Sequence, residues 1–180
     1  MNKVVNITAV LAVTLLAASG PVLASKTAGQ HIDDTTLASS TKAALIDNDK
    51  VSAGDINIEV HKGMVQLAGF MDSDAEKSAA LATAAKVEGV TKVIDALVVL
   101  TGHRSMGEAL DDTTMQTKLK AGLVGAEGLG DAVAITTEVR QGHVLLAGFV
   151  EKEKEKAHAG EVAKGIEGVK KVHNLITVAQ

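Results

Sequence analysis

Three groups of side chains in this sequence could do chemistry: six histidines, two Asp-Asp pairs, and a run in which glutamate and lysine alternate. Neutral imidazole is a common metal ligand, so His31, His61, His103, His143, His158 and His173 raise the question of a metal centre. Their spacing argues against one. No two lie three or four residues apart on an expected helix, and none has a carboxylate neighbour in a repeated arrangement; neither a metal nor a cofactor is expected. Asp33-Asp34 and Asp111-Asp112 could be paired carboxylates for acid–base work. Each pair, however, stands where a helix is expected to start, and the free N–H groups and dipole of a helix start favour anions. No Ser-His-acid set repeats, no nucleophile elbow occurs, and no phosphate-cradling glycine motif follows an expected strand. Cysteine is absent, which removes thiol catalysis and thiolate metal sites. Catalysis is not expected.

The third group, "EKEKEKAHAGEVAKG" at 151–165, leaves two readings open. One is a solvated helix face with Glu–Lys neighbours. The other is a cationic edge, Lys152, Lys154 and Lys156, that meets lipid headgroups. The chain carries 18 basic and 22 acidic residues, net charge −4, without basic clusters interleaved with aromatics; nucleic acid is not an expected partner. Trp and Tyr, the usual anchors at a membrane interface, are absent, and only two Phe occur.

The elements that must position these residues come from a repeat. "DDTT" at 33–36 recurs at 111–114, and "GMVQLAGF" at 63–70 returns as "GHVLLAGF" at 142–149, with both phenylalanines, Phe70 and Phe149, inside it. Each unit reads as helix, hairpin, helix, strand. Leu37, Thr41, Ala44 and Leu45 form one helical stripe, matched by Met115, Leu119 and Leu123. "INIEVHKGMVQLAG" alternates with period two around a two-residue Lys62-Gly63 turn, which opposes Val60 to Val65 and Ile58 to Leu67. The same turn at Gln141-Gly142 opposes Val139 to Val144 and Thr137 to Leu146. Gly69 and Gly148 then face the start of the first strand, where a missing side chain lets the following helix come close. "SDAE" at 73–76 reads as a capping box for that helix. Ala80, Ala84 and Val87, answered by Ala159, Ala163 and Ile166, form its inner stripe. Gly89 and Gly168 suit the left-handed residue beyond a helix end.

The expected architecture is α+β: two tandem αββαβ units, each a three-stranded sheet with two helices on one face. The boundaries are a signal peptide at 1–24, an N-terminal linker at 25–32, units at 33–101 and 111–179, and a linker at 102–110. The leader has an early Lys3, an apolar stretch and Ala24 at the cleavage position, so export is expected. Without cysteine there is no acceptor for a bacterial lipid anchor and no disulfide to support the folds. Alternation leaves the other sheet face apolar. Ile94, Ala96, Val98 and Leu100 point there in the first unit, Leu145, Ala147 and Leu175 in the second, with Phe70 and Phe149 at the rim. That face either packs between the units or receives a partner.

The motif "G-x-V-x-L-x-G" combined with "VEGVTKVIDALVV", occurring twice over nearly the whole chain after the leader, resembles the BON-domain family. The resemblance implies a periplasmic protein associated with osmotic stress. It also implies a domain that attaches to phospholipid membranes, or a chaperone role toward unfolded exported or outer-membrane proteins. The family's usual asparagine in the last strand is Asn174 in the second unit and Asp95 in the first, which leaves the role of Asp95 open.

Overall fold

The computed structural model describes residues 33–102, 105–126, 129 and 135–179. The expected signal peptide and N-terminal linker, His31 and His103 lie outside them. Each unit lays its helices on one face of a small sheet. In the first, α1 (Asp34–Ile46) is followed by β1 (Asn57–His61), β2 (Met64–Met71), α2 (Asp74–Ala84) and β3 (Lys92–Val99). The order is β1-β2-β3, with β1 antiparallel and β3 parallel to the central β2. The second unit repeats this with α3 (Met106–Gly125), β4 (Ile135–Arg140), β5 (His143–Val150) and α4 (Glu153–Lys164). Its last strand is broken into β6 (Lys171–Asn174) and β7 (Thr177–Val178), both parallel to β5.

The hairpin register is the one the alternation demands: Val60 opposes Val65, Ile58 opposes Leu67, Val139 opposes Val144, and Thr137 opposes Leu146. Both turn residues have positive φ in each hairpin, 50° and 77° at Lys62-Gly63 and 53° and 78° at Gln141-Gly142. This is the type I′ pattern, whose twist matches that of paired strands. Leu37, Leu45, Val65, Leu67, Ala80, Ala84 and Leu97 form the first core, between helices and sheet. Met115, Leu119, Val144, Leu146, Ala159, Ala163 and Ile176 form the second. Each fully buried Val or Leu contributes roughly 1.5–3 kcal/mol to these cores.

Three local expectations need correction. Gly69 does not make room for the following helix: a Cβ there would lie 2.1 Å from the carbonyl oxygen of Asp55, in the short 3₁₀ turn Ala53–Asp55 ahead of β1. Backbone, not helix, occupies the space. The linker is shorter than expected, because α3 starts at Met106. Ser105 Oγ accepts the Glu108 N–H at 3.2 Å and the Glu108 carboxylate accepts the Ser105 N–H at 2.9 Å, a complete capping box. Consequently Asp111-Asp112 sits inside α3, whereas Asp33 caps α1 through the Thr35 N–H.

Candidate functional site

The two Asp-Asp pairs share a task that the helix-start argument does not cover. The second aspartate of each reaches across to its own hairpin. Asp34 accepts the backbone N–H groups of Lys62 and Gly63 at 2.8 and 2.9 Å, and Asp112 those of Gln141 and Gly142 at the same distances. A type I′ turn points two N–H groups outward, and one carboxylate satisfies both. The sequence repeats both the aspartate and the two-residue turn, but nothing in it joins the two. Asp112 is buried, 2% exposed.

The sheet faces opposite the helices meet one another. Ala68, Phe70, Ala96, Leu145 and Ala147 form a third buried cluster drawn from both units, with Val98, Leu100 and Leu175 packed at its margin. Of the residues singled out for this face, Phe70, Val98, Leu100, Leu145 and Leu175 are therefore together. Phe149 is half-buried and stacks on His61 of the first unit, ring centroids 5.3 Å apart. Ile94 is half-buried and outside the cluster. Phe149 against His61 has its counterpart at the matching place in the other unit: the Phe70 carbonyl accepts from Arg140, which also ion-pairs with Asp72. The repeated phenylalanines thus face equivalent positions of the opposite hairpin, the self-complementary arrangement that joins like surfaces.

One side chain crosses the seam deeply. Gln66 is fully buried, and its amide sits where the last strand of the second unit is broken. Its oxygen accepts the Gly148 N–H; its nitrogen donates to the Leu175 carbonyl at 2.9 Å and to Thr177 Oγ1 at 3.1 Å. Gly148 has φ of 117°, a conformation that favours glycine. A glutamine on an outer strand face looks solvent-facing in sequence, and its repeat counterpart is leucine, Leu145. Polar alternation gave no hint of this stitch. Thr136 donating to Glu59 and Gln141 donating to the Gly102 carbonyl add to the joint.

The lysine run does not build one edge. An α-helix advances about 100° per residue, so Lys154 is turned far from Lys152 and Lys156. Lys152 and Lys154 are exposed, while Lys156 is half-buried and its carbonyl accepts from Asn174 Nδ2 at 2.7 Å. Glu155, between them, is buried and accepts the N–H groups of Glu151 and Lys152 at the start of α4. Asp95 is half-exposed and paired with Lys77 at 2.8 Å, its other oxygen accepting the Leu97 N–H at 2.9 Å. That ion pair replaces the Asn174 bond of the second unit.

His143 and His173 come together on the second sheet, Nδ1 to Nε2 at 3.2 Å; His158 is exposed on α4. Among the described residues no group of three or more histidines and carboxylates could hold a metal ion, and no helix is long and apolar enough to cross a membrane. Among the described residues, the large apolar side chains left in water are Ile46, Met106, Leu110 and Val124, and three of these four are on α3. Sequence reading of 102–110 as linker concealed that face.

A family model described as the BON domain matches residues 33–101 and 111–180. Osmotically-inducible protein Y of Escherichia coli is 33% identical over 147 residues, which are 81% of this chain and 73% of that protein. Outer membrane lipoprotein DolP of Haemophilus influenzae is 31% identical over 148 residues, 82% of this chain and 75% of its own. Among solved structures, the C-terminal domain of CdsD, the structural protein of the Type III secretion system of Chlamydia trachomatis, aligns at 15% identity with a TM-score of 0.33, covering 83% of this chain and 68% of that one.

Proposed function

The chain belongs to the BON-domain family, and from that premise we propose an osmotic-stress protein of the bacterial envelope that acts by binding phospholipid surfaces, not by catalysis. The names of its relatives, an osmotically inducible protein and an outer-membrane lipoprotein, support the envelope setting. The expected leader at 1–24 would deliver it to the periplasm.

The observation that carries the lipid reading is the outer stripe of α3. At about 100° per residue, Met106, Leu110 and Val124 fall within about 40° of each other on the helix circumference. They are 88%, 71% and 90% exposed, on the side opposite buried Met115 and Leu119. Exposed Thr113, Thr117 and Lys120 lie between them, and the acids Glu108, Asp111 and Asp112 are on other sides of the helix. A carboxylate-free helix face with exposed apolar side chains at both ends, and threonines and a lysine between them, is suited to lie at the headgroup boundary. Lys152 and Lys154 add cations elsewhere on the same unit, whose net charge of −1 contrasts with −5 in the first. The alternative, a chaperone for exported polypeptides that uses the apolar sheet faces, requires the two units to part, since each face covers the other.

Liposome flotation tests this. The protein floats with anionic vesicles, the double variant Leu110→Asp/Val124→Asp stays in the unbound fraction with its circular dichroism unchanged, and Lys152→Gln/Lys154→Gln/Lys156→Gln reduces only the salt-sensitive part. A native chain that fails to float with any vesicle, or a Leu110→Asp/Val124→Asp variant that floats like it, overturns the reading.

A further inference from the structure

Contacts across the seam are apolar or neutral, apart from the charged pairs at its rim, and two imidazoles stand beside the apolar cluster. His143 on β5 and His173 on β6 stack with centroids 5.5 Å apart and planes 20° from parallel. His173 also meets the Phe70 ring of the first unit edge-on at 6.2 Å. Phe70 is the largest fully buried side chain of the described residues, so this contact is at the heart of the closure. A nitrogen–nitrogen separation of 3.2 Å accommodates one proton, one ring donating and the other accepting. Protonating both rings sets N–H against N–H and creates two adjacent cations.

We propose that this pair makes the closure of the two units acid-sensitive: protonation of both imidazoles opposes the His173–Phe70 contact, parts the sheets, and uncovers the apolar surface around Phe70 and Leu145.

The surrounding charges favour that direction. Lys170 and Lys171 adjoin the pair at β6, and Arg140 is directly opposite His143 in the ladder, with Glu138 on the same strand. Asp112, from α3, is the acid that favours a charged His143. From the first unit, Glu59 is bonded to Thr136, Asp72 to Arg140, and His61 stacks on Phe149. Lys92 opens β3 on the seam-facing side by register with Met64. Burial, then the Lys171 cation, hold His143 below the ordinary imidazole value, and burial, Lys171 and His143 do the same to His173. The sign follows. Both rings are neutral in the closed form; parting the units lifts the burial that the first unit imposes, while Lys170, Lys171 and the neighbouring ring stay in place, so the open-state values move up toward the ordinary imidazole value of about 6.5. Their contribution to closure is complete above that value and is lost as pH falls through it toward the lower closed-state values. With two protons taken up together, the open-to-closed ratio rises by up to about 100-fold per pH unit in that window.

The test uses the full chain with the dye ANS and small-angle scattering. Dye emission and radius of gyration increase reversibly between about pH 7.5 and about pH 5, His143→Gln/His173→Gln abolishes the increase, and His158→Gln retains it. A flat native profile, or an increase that survives in the double variant, overturns the proposal. Imidazole NMR titration of the native chain guards against a misfolded variant: His143 and His173 titrate below the ordinary imidazole value of about 6.5, and titration of both at that value overturns the proposal as well.

Discussion

At the scale of single residues, Asp34 and Asp112 hold equivalent turns with unequal burial, so the same change has unequal effects. Asp112→Ala strips two N–H groups of their partner in a dry site and costs about 2 kcal/mol, whereas Asp34→Ala, where water reaches the turn, costs about 1 kcal/mol or less. Urea denaturation of both variants measures the difference. The turn itself was legible in the sequence, because a two-residue Lys-Gly or Gln-Gly step between alternating strands admits little else. The aspartate's reach was not, because a carboxylate ahead of a helical stripe has a nearer explanation in the helix end. Gln66 was hidden for a related reason. A polar residue among alternating apolar ones looks solvated until a second sheet covers it.

At the scale of elements, the sequence pattern defines helices and strands but not what each leaves exposed or what fills each gap. The Ser105–Glu108 spacing is a capping box in plain view, and it places the start of α3 ahead of the Asp111-Asp112 pair. The break between β6 and β7 carries no such mark; alternation runs unbroken through Val172, Asn174, Ile176 and Val178, and Ile176 and Val178 remain on the core side. Close approach at Gly69 gives a sharp prediction. Gly69→Ala forces a methyl against the Asp55 carbonyl and costs about 1–3 kcal/mol, while Gly107→Ala, with open space around it on α3, is stabilising by about 0.5–1 kcal/mol. Thermal melts of the two variants move in opposite directions.

At the scale of the whole molecule, two marginal units close on each other, and each provides what the other lacks. The first inserts an amide into the broken strand of the second; the second covers the Phe70 face of the first. Sequence left the outer faces between two occupants, a partner or the sister unit, because apolar alternation says that a face will be covered and not by what. The Gly148 amide reports on that closure most directly, since its hydrogen-bond acceptor is Gln66 of the other unit. Amide hydrogen exchange should find Gly148 protected in the native chain. In Gln66→Leu that protection should fall to the level of an open amide while Leu146, deeper in the same strand, stays protected. Equal exchange at Gly148 in the native and Gln66→Leu chains would contradict the claim.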